Sequence, residues 1–240
     1  MLSDRMADVI ALLGGGGGGG AGRSPAVAAA AAAAALSVDG ICAGVGIGPE
    51  GAVLAWGRGE TSAALDEAGF TLGEGPVRDC LAAGAPILVA DLSAEGSRWP
   101  AFAPAAMDLG VRAVFALPLR IGAINVGTLL AHRGAPGALR GGQLSDALAL
   151  ADTLTLLFLR RAGVERSGAA GEEPSPDWAG ADTHRLGVHQ ATGMTSVQLG
   201  VSLAEALVRL RAHAYAENRP LNEVAADVVA RRLRLGDSGP

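Results

Sequence analysis

Residues 184–235 read HRLGVHQATGMTSVQLGVSLAEALVRLRAHAYAENRPLNEVAADVVARRLRL, and their apolar residues recur at helical spacing. Leu203, Ala206, Leu207, Leu210 and Ala214 fall at i, i+3, i+4, i+7 and i+11, one stripe along a helix. Ser202, followed three residues later by Glu205, predicts a capping box at the entrance of that helix. Asn218, Arg219 and Pro220 break the run. Leu221, Val224, Ala225, Val228 and Leu233 then rebuild a stripe on a second helix, whose first-turn proline has no N–H to lose. Upstream, Val188, Ala191, Met194 and Leu199 predict a further helix that stops at Gly200. Helices this short bury their stripes only against one another, so the stretch reads as a three-helix bundle.

Outward from that bundle, 240 residues leave room for one medium domain beside the small one, and 50% apolar residues supply both cores. All 19 basic residues are arginine, and the formal charge is −5, which does not suit a protein that coats nucleic acid along its whole surface. The charge is uneven. From His184 onward there are 7 Arg against 5 acids, a net +2, while residues 1–183 carry 12 Arg against 19 acids, a net −7. The basic excess sits on the proposed bundle, where phosphate contact would require it. Two cysteines are too few for a disulfide framework, and a reducing cytoplasm is the expected compartment.

The N-terminal 25 residues read as a flexible glycine-rich segment with a short amphipathic turn in residues 1–13. Asp4 and Asp8 spoil the basic start that a signal peptide needs. Residues 17–24, GGGGAGRS, imitate a phosphate-binding loop, but Pro25 and the glycine tract mark a linker instead. No run reaches the roughly 18 apolar residues of a membrane span. Residues 26–162 form one domain of mixed elements. A helix over 26–38 is followed by strands over 41–47 and 52–56 joined by a turn at Pro49-Glu50-Gly51. A loop from Phe70 leads to a short helix ended by Gly84 and a strand over 86–89. A helix over 102–109, strands over 111–119 and 123–131, and a long helix over 143–161 complete it. Leu144, Leu148, Ala151, Leu154 and Phe158 give that last helix its apolar side. Residues 163–182 are rich in Gly, Ala, Glu, Pro and Ser and read as a linker, and 236–240 as a tail.

Two sets of blocks resemble known families. ATG at 191–193, EALVRLRAHA at 205–214 and RPLNEVAADVV at 219–229 resemble the ANTAR domain, an RNA-binding module of bacterial transcription antiterminators whose members bind stem-loops in leader RNA. The family usually carries a basic residue where this chain has Thr192. LGEGP at 72–76, VADL at 89–92, RWPAF at 98–102 and GVRAVFALPL at 110–119 resemble the GAF fold. That resemblance implies an antiparallel sheet flanked by helices, which holds a small molecule or forms dimers. Together they resemble an actinobacterial GAF and ANTAR regulator: an α+β sensor domain followed by an all-α bundle at 183–235. The expected partners are stem-loop RNA, an unidentified small ligand and a second copy of the chain, with no membrane, cofactor or enzymatic activity. Two alternatives stand beside this reading. One is a ligand or protein-interaction sensor without RNA binding, and the other is a thiol-dependent reductase on the GAF scaffold.

The residues that could carry these functions divide between the domains. In the bundle, Arg209, Arg211 and Arg219 lie off the stripes or at a junction and could meet phosphate. Tyr215 is the one aromatic there able to stack on an unpaired base, and Thr192 belongs to the set by its place in the first block. Arg231, Arg232 and Arg234 add a basic tail, equally readable as charge at a helix C-terminus. In the sensor domain, Arg78, Asp91, Trp99, Phe102 and Arg112 lie near the loops that would cover a ligand, as does Arg98. An ion pair with Asp91 and plain aromatic packing are the competing explanations. Cys42 on a strand and Cys80 on a helix read as small buried apolar groups. His132, His184, His189 and His213 lack metal-ligand spacing.

Overall fold

A computed structural model describes residues 2–14, 25–45, 53–57, 59–166, 183–217 and 219–236. The chain divides into two compact units near residue 180. In order, the elements are α1 (Asp4–Gly14), α2 (Pro25–Leu36), β1 (Gly40–Val45), β2 (Val53–Trp56), α3 (Glu60–Leu72), α4 (Pro76–Ala83), β3 (Ile87–Val89), α5 (Phe102–Asp108), β4 (Ala113–Ile121), β5 (Ile124–Arg133), α6 (Gly141–Arg166), α7 (Thr183–Leu199), α8 (Leu203–Ala216) and α9 (Leu221–Val229). The glycine tract, the turn at residues 49–51 and residues 167–182 of the expected linker lie outside the described residues.

The first unit is α+β, as its sequence implies. Its five strands run in the order β2-β1-β5-β4-β3 and every pairing is antiparallel. β4 and β5 form the central hairpin, with Gly122 at its tip in the left-handed region (φ 59), where a side chain would be strained. Alternation sends Phe115, Leu117, Leu119, Leu129 and Ala131 to one face, where they pack with α1, α2 and α6 in a single core. Val114, Ala116, Leu130 and His132 point to the other face, where α4 lies across β3, β4 and β5.

Four features differ from the sequence reading. Residues 60–72 form a helix, α3, that the apolar pattern conceals. Its buried positions are Ser62, Leu65, Asp66 and Phe70, so two of four core-facing places are polar. The N-terminal segment expected to be flexible contributes α1, whose Met6 and Val9 sit in the main core. Ser3 caps this helix and donates its Oγ to the buried Asp146 carboxylate (2.6 Å), which also accepts the Ser3 N–H (2.9 Å). α6 runs on to Arg166, four residues into the expected linker. It buries Ala147, Leu150, Ala151, Leu154 and Phe158, leaving Leu148 42% exposed. Gly141–Arg160 of α6 is also long and apolar enough to cross a membrane by length and composition. Of that stretch 39% is buried.

The second unit is the expected bundle of α7, α8 and α9, each packed on the other two. Val188, Ala191, Thr192 and Thr195 form the buried face of α7, Ala206, Leu207, Leu210 and Ala214 that of α8, and Leu221, Val224, Ala225 and Val228 that of α9. Fully burying one such Leu or Val contributes about 1.5–3 kcal/mol. Leu203, at the first turn of α8, is 50% exposed, and Leu233 lies beyond the end of α9, so neither belongs to a stripe. Half of the capping box forms. Ser202 Oγ accepts the Glu205 N–H at 3.2 Å, while the Glu205 carboxylate turns to Arg209 instead.

Candidate nucleic-acid interface and sensor face

In the bundle, the expected RNA-facing residues take three different environments. Thr192 is inside: it is 2% exposed, and its hydroxyl donates to the Val188 carbonyl at 2.7 Å. Such bonding back along the helix satisfies a buried hydroxyl locally, and it takes Thr192 out of any direct surface contact. Arg209 and Arg219 are at the surface but engaged. Arg209 pairs with Glu205 at 2.7 Å, one helical turn away. Arg219 reaches Asp227 at 2.6 Å and Glu217 at 3.6 Å, and Asp227 also accepts Arg232 at 2.8 Å. The hydrogen bond from Arg219, followed by that from Arg232, holds the Asp227 carboxyl below the usual carboxylate range. The same contact raises the Arg219 guanidinium further above neutrality. This cluster ties the α8–α9 junction to the end of α9. Arg211 and Tyr215 lie one turn apart on α8, Arg211 partly buried and Tyr215 84% exposed.

Arg231 and Arg234 of the basic tail differ from the arginines above. Among the described residues, neither lies within ion-pair distance of a carboxylate, in contrast to Arg209, Arg219 and Arg232. They rim a groove between α7 and the turn after α9, with Met194, Val197, Val228 and Leu233 along it. Nothing in the sequence places residues 194 and 231 side by side; only the packing of α7 on α9 does.

In the α+β unit, the blocks that stand out in the sequence hold one another. Within LGEGP, Gly73 and Gly75 take positive φ, and a Cβ at Gly75 would come within 3.0 Å of the Phe102 ring. The Glu74 carboxylate accepts the backbone N–H groups of Ala101 and Phe102, both at 2.7 Å, at the start of α5. From RWPAF, Arg98 pairs with Asp79 at 2.8 Å and lies over the Trp99 ring at 4.6 Å, and the Trp99 indole N–H donates to the same carboxylate at 3.2 Å. Trp99 and Phe102 are 1% and 2% exposed and meet edge to face at 5.9 Å. Both side chains are buried, as the packing explanation expects. Asp91 accepts the Ser93 N–H, which with the Ser93 hydroxyl lowers its pKa, and faces Arg112 at 3.7 Å. Arg78 is exposed on α4.

A buried polar pair on the second face of the sheet escaped the sequence reading. Ser62 Oγ and His132 Nε2 are 3.0 Å apart, and Gly40 presses on the imidazole so closely that a Cβ there would collide with it. Burial pushes the His132 pKa down, against a smaller upward pull from Asp39. Cys42 and Cys80 are both buried and in no disulfide. Burial pushes the Cys80 thiol up to about 12, so it holds no thiolate for nucleophilic chemistry near neutral pH. Among the described residues, no group of three or more His, Cys, Asp or Glu is placed to hold a metal.

Comparison with known proteins places both units. The α+β unit has the GAF fold. The GAF domain of an Acinetobacter phosphoenolpyruvate-protein phosphotransferase superposes with a TM-score of 0.50 at 14% identity, covering 68% of this chain and 96% of that one. A GAF domain from a Coxiella burnetii phosphoenolpyruvate-protein phosphotransferase gives 0.47 at 16% identity, over 70% and 99%. The bundle is narrower in its assignment: the family model described as ANTAR domain matches residues 180–229. The chain therefore joins a GAF-fold unit to an ANTAR domain. No curated protein matches it.

Proposed function

We propose that this chain is a non-enzymatic cytoplasmic regulator of transcription antitermination, whose ANTAR bundle binds stem-loop leader RNA under the control of its GAF unit. The observation that carries the reading is the ANTAR match over residues 180–229, which coincides with α7, α8 and α9. The net charge of +2 from His184 onward, to which Arg231, Arg232 and Arg234 just beyond the match contribute, supports it. Arg211 and Tyr215 on one face of α8 offer a cation and a stacking ring, with Arg209 and Arg219 as further phosphate contacts. Thr192 in place of a basic residue does not speak for loss of RNA affinity, because its hydroxyl is spent inside the helix. The chain acts as a homodimer. Val27 on α2 and Leu148 and Leu156 on α6 remain exposed apolar groups on the layer where such a contact would form. A small ligand of the GAF unit changes RNA binding by favouring one arrangement of the dimer, a coupling of about 1–3 kcal/mol.

The test is capture of cellular RNA on the purified full chain, followed by sequencing. Enrichment of transcripts with stem-loops before a terminator is expected, with affinity falling as salt rises. Recovery of no stem-loop class, or salt-independent binding, would remove the reading. Sedimentation at micromolar concentration tests the dimer.

A further inference from the structure

The groove beside α7 has a volume of about 780 Å³, with an apolar floor and a cationic rim. Three features of it lack an explanation within the bundle. Arg231 and Arg234 have no carboxylate partner among the described residues, although Arg232 between them pairs with Asp227. Arg231 also holds a left-handed backbone (φ 59). Its N–H bonds to the Val228 carbonyl at 3.0 Å and the Arg232 N–H to the Asp227 carbonyl at 2.8 Å, the turn that ordinarily takes glycine after a helix. An arginine there is strained where glycine would not be. Gly193, finally, lies in the middle of α7 and lines the groove, yet a Cβ on it would meet nothing within 4 Å. Glycine weakens a helix interior relative to alanine, and no neighbour in the bundle asks for it. An occupant from outside, coming close to the α7 backbone, supplies the missing reason for all three.

We propose that this groove seats an unpaired nucleotide of an RNA loop, with its base on Met194, Val197 and Leu233 and the flanking phosphates against Arg231 and Arg234. Val197, 85% exposed, offers the apolar platform that a base needs once it leaves its stack. The two guanidinium groups, without a carboxylate partner among the described residues, match phosphate, and the open flank at Gly193 admits a flat ring. The proposal rests on the reading of the bundle as an RNA-binding module, and it moves the loop contact from the α8 arginines to α7 and the end of α9. Duplex RNA cannot present a base face in this way, so the groove discriminates loops from stems.

The test measures binding of the full chain to a hairpin RNA pool with a fixed stem and a randomised loop, beside a blunt duplex of the same stem. Three variants suffice: Gly193→Ala, Arg231→Gly and Arg234→Ala. Gly193→Ala should lower hairpin affinity about tenfold while leaving thermal unfolding unchanged or later. Arg231→Gly should relieve the backbone strain, so that the melting temperature does not fall, yet weaken binding and reduce the salt dependence by about one phosphate contact. Arg234→Ala should reduce the salt dependence likewise. In all three the preference for hairpin over duplex should shrink. If the native chain binds hairpins and all three variants bind them equally well, the groove assignment is overturned and the RNA reading survives. A native chain that binds no hairpin overturns both. Variants that keep hairpin affinity but change sedimentation would assign the groove to a second copy of the chain, which also overturns the proposal.

Discussion

The two units put their charged side chains to different uses. In the α+β unit the charges that stand out in the sequence are spent on the fold. Arg98 and Trp99 share the Asp79 carboxylate, and Glu74 caps α5. Arg133 donates to the Leu36 and Ser37 carbonyls at the end of α2 and lies over Phe115 at 5.3 Å. In the ANTAR bundle only part of the arginine is consumed this way. Arg219 and Arg232 tie α9 to α8 through Asp227, whereas Arg231 and Arg234 face outward beside an apolar groove. The same residue types thus read as structural in one unit and as surface chemistry in the other. What separates them is whether a neighbour in the fold satisfies them.

That contrast can be broken in order of expected effect. Trp99→Ala should cost about 3–5 kcal/mol, the range for deleting a buried aromatic. A loss under about 1 kcal/mol in denaturant unfolding would mean that the RWPAF block does not hold the unit together. Leu210→Ala, at the centre of the bundle, should cost about 2–5 kcal/mol, read as loss of cooperative helix unfolding by circular dichroism. Removing the Glu74 carboxylate with Glu74→Ala should cost about 1 kcal/mol, as for a lost helix cap. An unchanged denaturation midpoint would show that the two short N–H contacts are not needed. Tyr215→Ala and Arg211→Ala should leave stability within about 0.5 kcal/mol of native while weakening RNA binding. A stability loss as large as that of Leu210→Ala would erase the distinction between the units.

Acidity sharpens the comparison further, with a smaller effect. Burial depresses the His132 pKa below its ordinary value of 6.5, so the unfolded chain takes up this proton at a higher pH than the folded one does. The native state therefore binds fewer protons, and its stability falls as pH drops below about 6.5. The loss levels off once the folded form also protonates. In an NMR titration His132 should give a midpoint below that of a histidine in the denatured chain. A midpoint at or above it would mean that the Ser62 contact and Asp39 outweigh burial.

Much of the bundle was legible because its information is local. Stripes at i, i+3 and i+4 name the buried faces of α8 and α9, and Ser202 and Gly200 mark boundaries that the structure keeps. Thr192 entered the RNA-facing set by its place in the first block, and its burial comes from the packing of α7, which no local pattern shows. In the α+β unit, α3 was lost because Ser62 and Asp66 occupy core-facing places, so no apolar period remains to detect. The motif blocks were visible as blocks, but their purpose was not. Gly75 and Glu74 give no sign in the sequence that they will touch Phe102.

The sequence by itself determined most of the helices and strands, α3 excepted, that an α+β domain precedes a small helical one, and that the basic excess lies from His184 onward. Hydrophobic period, turn residues and composition act over a few residues and survive in one dimension. The tertiary structure decided which polar groups find partners. His132 meets Ser62 only because β5 and α3 pack together, Trp99 reaches Asp79 only because the turn before α5 folds over α4, and Arg231 comes to Met194 only because α9 lies on α7. An isolated charge or hydroxyl is costly when buried and available when exposed, and that choice is made by neighbours distant in the chain.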